Sequence, residues 1–338
     1  MWCPLAQDYL VRWFREDDLE YYMAGLNRTL YDRYDEERFR WKFRDSPFNL
    51  GFVSIAVVEE AESGEPVGFN SFLPLEVRAG PDTFLAVQGC DGFVDMEHRR
   101  RGLFQRTLHF MAEELRGRGP EVLIGFNFAG STGAAQKAGS QVACDVDRWH
   151  LDLREIDTDR LRGGEDVSLS GASDEEIHDI YMGWASEETR IHFHRTPEYL
   201  RWRFDDPPLR DYMLYKVEVN GVPRGYVATS TAEDEDGLTE LSIDDCIPPF
   251  SDAMPFPNIL GEILGIVDDV SKVEMHTRHG DLLGEAVGRL GFSAEPEPRY
   301  TVIMKAIDNV ETRGERIFRG GLELTQIGNW YFTRSDIY

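Results

Sequence analysis

Glu37-Arg38-Phe39-Arg40-Trp41-Lys42-Phe43-Arg44-Asp45-Ser46-Pro47 returns 161 residues later as Glu198-Tyr199-Leu200-Arg201-Trp202-Arg203-Phe204-Asp205-Asp206-Pro207-Pro208. Arginine, tryptophan, phenylalanine, aspartate and proline coincide without a gap. The agreement continues downstream. Each copy leads into a β-rich run, Phe52 to Glu60 and Tyr212 to Val219. A turn follows (Glu62-Ser63-Gly64-Glu65-Pro66; Asn220-Gly221-Val222-Pro223), then a strand that opens on Gly68-Phe69 or Gly225-Tyr226. A match of this kind is one fold built twice. A length of 338 residues suits two cores better than one. The expected domains are 1–157 and 165–338, joined around Arg162-Gly163-Gly164. Trp41 and Trp202 read as core packing at a helix end.

In the first half, Tyr9 to Phe14 reads as a strand. Asp17 can cap a helix from Asp18 to about Tyr31, and a second helix covers Asp35 to Phe43. Strands are expected at Phe52 to Glu60, Val67 to Glu76 and Thr83 to Asp95. An amphipathic helix then runs from Leu103 to Arg116, with Leu103, Phe104, Thr107, Leu108, Met111 and Leu115 on one face. A strand at Val122 to Phe128, a small-residue helix at Ser131 to Ala138 and a strand from Val142 to Leu153 complete a mixed α/β sheet.

Between the third of those strand runs and the amphipathic helix lies Glu97-His98-Arg99-Arg100-Arg101-Gly102-Leu103-Phe104. A helix start leaves backbone N–H groups without partners and carries the positive end of the helix dipole, which together make a phosphate site. Gly102 lets the backbone approach a diphosphate, and the arginines add charge-assisted hydrogen bonds. A coenzyme A pyrophosphate has the matching size and charge.

This segment resembles the pyrophosphate loop of the Gcn5-related N-acetyltransferase (GNAT) superfamily, Arg/Gln-x-x-Gly-x-Gly/Ala after the fourth strand. Arg99, Gly102 and the following helix match. Phe104 stands where the family prefers a small residue, and Met96 replaces a frequent proline. The paired Trp-Lys/Arg-Phe segments resemble tandem GNAT-like proteins, so the resemblance covers nearly the whole chain. It implies two acyl-CoA N-acyltransferase domains with acetyl-CoA as acyl donor and a small amine, an amino sugar among them, as acceptor. It also implies a cofactor site at Arg99, Arg100, Arg101, Gly102, Leu103 and Phe104, with Asn127 and Ser131 near the pantetheine. An oxyanion donor is implied among the backbone amides around Phe93, Val94 and Asp95. Acyl transfer further needs a base to take a proton from the amine. Asp91 is the first candidate, followed by Asp95, Glu97 and His98. The family's tyrosine acid aligns with Ala135, so that acid is missing.

The second half carries a strand at Leu238 to Cys246 that continues into Ile247-Pro248-Pro249-Phe250 with no glycine-arginine loop. A helix at Ile259 to Val267, a strand at Lys272 to Thr277 and a helix ending at Leu290-Gly291-Phe292 follow. This half reads as a degenerate GNAT-like domain that walls the substrate cleft. Ile191-His192-Phe193-His194-Arg195, with its alternating histidines, reads as structural, and Asn329-Trp330-Tyr331-Phe332 as a final strand.

The net charge of −26, with 62 acidic against 36 basic residues and five lysines, disfavours nucleic-acid binding and matches a solvated acidic surface of the kind that stays soluble at high salt. Cys3, Cys90, Cys144 and Cys246 show neither metal-ligand nor disulfide spacing, so no metal is expected. No apolar run reaches the ~18 residues of a membrane span, and Met1-Trp2-Cys3-Pro4 does not open a secretory signal; a cytoplasmic protein without membrane contact is expected. Two other functions fit parts of the pattern. A Fem-type aminoacyl transferase also uses two GNAT-like halves, but needs a basic tRNA face. A non-catalytic acyl-CoA-binding protein would account for the missing tyrosine.

Overall fold

The first half forms its elements in the expected order. The computed structural model describes residues 8–30, 33–156, 158–161, 164–208, 210–233 and 237–338. Met1-Trp2-Cys3-Pro4, Tyr31 and the Arg162-Gly163 part of the expected junction lie outside the described residues. β1 (Tyr9–Trp13), α1 (Leu19–Thr29), α2 (Glu36–Phe43), β2 (Ile55–Glu60), β3 (Pro66–Ala79) and β4 (Asp82–Val94) come first. α3 (Leu103–Glu114), β5 (Val122–Asn127), α4 (Ala129–Lys137) and β6 (Gln141–Asp152) follow. Asp17 does not cap α1. Asp18 is the N-terminal residue, and its carboxylate accepts from the Arg15 amide at 2.7 Å and from Arg12 of β1 at 2.7 and 2.9 Å.

The second half contains β7 (Val167–Gly171), α5 (Asp174–Ala185), β8 (His192–Phe193), α6 (Pro197–Leu200), β9 (Tyr212–Val219) and β10 (Val222–Glu233). β11 (Thr239–Ile247), α7 (Phe256–Ile266), β12 (Val270–Arg278), α8 (Leu282–Arg289) and β13 (Ser293–Ala294) come next. The chain then adds β14 (Tyr300–Ala306) and a small sheet of β15 (Glu311–Arg313), β16 (Arg316–Arg319) and β17 (Leu322–Glu323).

These elements form two compact units, divided differently from the expected 1–157 and 165–338. The first runs up to Cys144 and takes back Tyr300–Trp330 and Tyr338; the second is Asp145–Arg299 with Tyr331–Ile337. The reason is strand pairing. β14 lies antiparallel to β5, Thr301 opposite Asn127 and Ala306 opposite Val122, and so completes the first unit's sheet in the order β1-β2-β3-β4-β5-β14. β6 pairs instead with β12, Val146 opposite Arg278, in the second unit's sheet β6-β12-β11-β10-β9-β7. Each sheet has one parallel junction, β4 with β5 and β11 with β12. The expected strand at Asn329-Trp330-Tyr331-Phe332 does not form. A single helical turn at Ile327–Asn329 precedes Trp330, whose buried Nε1 donates to the Leu324 carbonyl at 2.7 Å.

The repeat has a common local basis. Asp35 caps α2 by accepting from the Arg38 amide at 3.0 Å, and Thr196 caps α6 by accepting from the Tyr199 amide at 3.1 Å. Beyond Leu200 the second copy widens into a π-helical turn over Arg201–Asp205. Trp202 is buried, whereas Trp41 is half-buried. The repeated glycines share a cause as well. A Cβ on Gly68 would sit 3.0 Å from the Phe93 carbonyl of β4, and one on Gly225 would sit 2.2 Å from the Ile247 carbonyl of β11.

The first unit's sheet is covered on both faces. Phe72, Val87, Leu123 and Ile303 pack with Leu108 and Met111 of α3 and with Ala135 and Ala138 at the end of α4. On the other face Phe39 and Phe43 of α2 meet Tyr22 of α1, Tyr22 meets Phe69 of β3, and Phe69 in turn meets Phe93 of β4. Each such large apolar side chain contributes roughly 1.5–3 kcal/mol when withdrawn from water. The polar backbone between these cores is therefore held in a fixed frame.

Candidate functional site

The parallel junction of the first unit opens part-way along. β4 pairs with β5 from Ala86 opposite Val122 to Gly89 opposite Gly125 and no further. Beyond that point β4 stays with β3, Phe69 opposite Phe93 and Gly68 opposite Val94, while β5 stays with β14 as far as Asn127. The strands diverge, and the edge of β4 over Cys90–Val94 that faces away from β3 loses its ladder partner.

A bulge accompanies the divergence. The β3–β4 register shifts between Phe69 and Ser71, and within the bulge Asp91 adopts a left-handed backbone with φ 43°. The Asp91 carboxylate turns inward. Its Oδ2 lies 2.7 Å from Lys42 Nζ and 3.5 Å from Tyr22 OH, and the side chains of Asp91 and Lys42 are 1% and 3% exposed. The first candidate base is thus closed off from a substrate amine and already neutralised by a lysine. Burial pushes the neighbouring Cys90 thiol up to about 12 and the Tyr22 phenol well above its usual range, so both stay neutral. On the opposite face Asn70 donates to Thr107 Oγ1 of α3 at 3.0 Å. A Cβ on Gly92 would be 3.0 Å from Asn70 Oδ1 and 3.5 Å from the Phe104 ring, so the start of α3 packs against the bulge.

Among the described residues, nothing accepts from the amides at the start of α3. Gly102 is the N-terminal residue, with φ 74° and no side-chain cap, and the first amide with a helical acceptor is that of Arg106, on the Gly102 carbonyl at 3.1 Å. A Cβ on Gly102 would meet only Gln105 Oε1, at 3.4 Å, so the space before the helix is open. Leu103 buries its side chain among Tyr9, Val58 and Val67. The neighbouring arginines are held differently. Arg99 donates from Nε to the Val94 carbonyl at 2.7 Å; Arg101 lies over the Tyr9 ring at 5.8 Å. Arg100, with φ 64°, is exposed and makes no hydrogen bond or ion pair among the described residues. Arg106, which sequence reasoning did not single out, ties the first turn down by donating to the Tyr9 carbonyl at 2.7 Å.

The remaining predicted residues divide between the two arms. Phe93 is buried against Phe69 and Val94 packs against the Tyr9 cluster, so each offers a ligand only its backbone. Asp95 lies at the end of β4 and accepts from Arg28 at 2.9 Å; burial raises its carboxyl above the ordinary range, against the pull of His98 and Arg99. Glu97 is exposed, and His98 Nδ1 is bonded to Tyr9 OH at 2.9 Å. On the other arm Asn127 Nδ2 donates to Ser131 Oγ at 3.0 Å. Ala135 is fully buried in the α3–α4 core.

Comparison with solved structures sets this arrangement among known folds. A GCN5-related N-acetyltransferase from Anabaena variabilis matches at TM-score 0.63 and 14% identity over 88% of this chain and 73% of its own. The fold is that of the GCN5-related N-acetyltransferases. A second such protein, from Kribbella flavida, matches at TM-score 0.62 and 13% identity, covering 90% of this chain and 72% of its own. A tandem GNAT protein from the clavulanic acid biosynthesis pathway matches at TM-score 0.58 and 15% identity, over 89% of this chain and 98% of its own. No protein-family model matches the sequence, and no curated protein matches it.

The second GNAT-like unit repeats the divergence, but the Pro248–Pro255 segment that leads from β11 into α7 contains neither arginine nor glycine. β11 and β12 pair only from Thr239 to Ser242. Arg334 bridges the two strands there, bonding Asp244 of β11 and, at 3.0 Å, Glu274 of β12. His150, Glu240 and Glu274 bring three donor atoms within metal-binding distance of one another, but Arg148 already reaches Glu240 at 3.3 Å and Glu274 at 2.7 Å. The histidines of the Ile191–Arg195 stretch both flank Tyr181, and His192 Nε2 is bonded to its hydroxyl at 3.0 Å, which is a packing role. No helix among the described residues is long and apolar enough to cross a membrane.

Proposed function

We propose that the chain is an acyl-CoA-dependent N-acyltransferase that moves an acetyl group from acetyl-CoA to the amine of a small molecule. One observation carries this: in the first unit an uncapped helix start beside three arginines adjoins a parallel strand pair that has come apart. The free amides from Arg100 to Gln105, with Arg99, Arg100 and Arg101 around them, suit the pyrophosphate. Gly102 supports this fit, because the space a Cβ would take is open.

Acetyl-CoA supplies the activated thioester; the chain supplies position and charge. The separated arms of β4 and β5 give an extended ligand backbone-to-backbone pairing, with Asn127 and Ser131 on the β5 side. The unpaired β4 edge over Gly92–Val94 offers preorganised N–H donors to an oxygen that gains negative charge, which is worth most where water is excluded. Asp95, with its raised carboxyl, is the favoured base, and Glu97 is the solvent-facing alternative. With Ala135 buried, the departing thiolate takes its proton from water.

The test is calorimetric titration with acetyl-CoA, then thiol release across a panel of small amines that includes amino sugars. Saturable binding with amine-dependent thiol release supports the proposal. Binding without release favours the non-catalytic acyl-CoA-binding reading, which the missing tyrosine supports. No binding removes both.

A further inference from the structure

Lys42 lies at the centre of the repeated segment. Its ion pair with Asp91 is almost wholly withdrawn from water. Such a pair repays its own desolvation poorly, and apolar replacements of similar volume are often as stable. Stability alone therefore does not account for a lysine in this place. The backbone does. Asp91 is a non-glycine residue in the left-handed region, within the segment where β4 carries its extra residue against β3. The contacts that hold it include Lys42 on Oδ2 at 2.7 Å, Tyr22 OH on Oδ2 at 3.5 Å and Ser71 Oγ on the Asp91 carbonyl at 3.4 Å, with Tyr22 OH also bonded to Ser71 Oγ at 2.9 Å.

The second unit provides an internal comparison. The β10–β11 register also shifts, between Ala228 and Thr229 of β10, which leaves Asp244 as the extra residue of β11, and Asp245 next to it is gripped by a fully buried arginine. That cation is Arg195, at 3.2 Å from each Asp245 oxygen, and it precedes α6. Arg203, the repeat partner of Lys42, instead donates to the Ser335 carbonyl at 2.9 Å. Cations from different places in the two copies thus reach an aspartate on the corresponding strand, in a unit where arginines and a glycine follow that strand and in one where neither does. What the two arrangements share is a grip on the bulge, not proton transfer.

Building on the acyltransferase proposal, we infer that Lys42 is a positioning residue: through Asp91 it locks the β4 bulge and so sets the Gly92–Val94 edge that faces the opened junction. Asp91 is then an anchor and not the base.

The experiment uses the full chain with Asp91→Asn, Asp91→Leu, and Lys42→Met combined with Asp91→Asn, the last leaving no lone buried charge. Asparagine still accepts from Lys42 and tolerates a left-handed backbone. Asp91→Asn should therefore lose much less kcat than Asp91→Leu, whereas a base would lose equally in both. The double variant should bind acetyl-CoA with the wild-type Kd and KM while kcat falls by about 100-fold. Hydrogen exchange at Gly92–Val94 should quicken on the order of tenfold. Wild-type exchange and kcat in the double variant would overturn the inference. So would a loss of acetyl-CoA affinity and thermal stability with no separate effect on kcat. If the wild-type protein fails to bind acetyl-CoA, the acyltransferase proposal falls, and the exchange measurement still decides whether Lys42 holds the bulge.

Discussion

Gly102→Asp tests the proposal that the first turn of α3 holds the pyrophosphate. The backbone there has φ 74°, a region that aspartate tolerates at a cost of about 1 kcal/mol. The new Cβ meets nothing nearer than Gln105 Oε1 at 3.4 Å, so the fold has no clash to relieve. A loss of about 1 kcal/mol lowers the thermal midpoint by roughly 2–4 °C in a protein of this class. The ligand suffers far more. A carboxylate roughly 5 Å from a phosphate, at an effective dielectric constant of about 20, is repelled by about 3 kcal/mol, or ~100-fold in Kd. Gly102→Ala provides the control, since it carries the backbone strain without the charge. Isothermal titration with coenzyme A at low salt measures both. If Gly102→Asp binds within about threefold of Gly102→Ala, the electrostatic argument fails and the amides of α3 are not the diphosphate site.

Other expectations follow from individual groups. Asp95→Asn should lower kcat by roughly 100-fold and abolish the acid limb of the pH profile, a limb that lies above the ordinary aspartate range because burial raises this carboxyl; an unchanged limb assigns the base elsewhere. Burial lowers His276 to about 3, so between about pH 6.5 and 3 the unfolded chain binds a proton that the folded chain refuses, and stability drops on acidification by about 2 kcal/mol at pH 5. His276→Phe should flatten that fall in thermal midpoint, and an equally steep fall in the variant would refute the assignment. With a net charge of −26, the thermal midpoint should rise between about 10 mM and 1 M KCl as the screening length shrinks from about 30 to 3 Å; a flat response would show that the acids do not repel one another appreciably.

The local elements were legible because their signals are local. Gly68 and Gly225 sit where a neighbouring strand comes close, and the apolar stripe from Leu103 to Leu115 faces a core, although the helix expected to be capped by Asp17 starts from Asp18. Pairings between distant segments were not legible. Tyr300–Ala306 alternates like any half-buried strand, but nothing in its own residues says that it lies beside Val122–Asn127. The surroundings of Asp91 are not legible either, because the Lys42 that pairs with it stands 49 residues earlier. Lys42 had one visible signal, its place in the repeat beside Trp41. The Arg99–Arg101 cluster was easier to read, since a strand end, a glycine and a helix start are contiguous there.

The exchange of last strands, with β14 joining β5 and β6 joining β12, constrains how the polypeptide comes into being. A ribosome that has released the first 150 residues has delivered a sheet whose β5 edge is still bare, and an unpaired edge invites association with neighbouring chains. That edge is covered only after about 150 more residues have emerged. Neither half can be cut out by a single break and keep its sheet whole, so truncations intended to isolate one lobe should yield aggregating fragments, while co-expression of the two pieces should restore solubility.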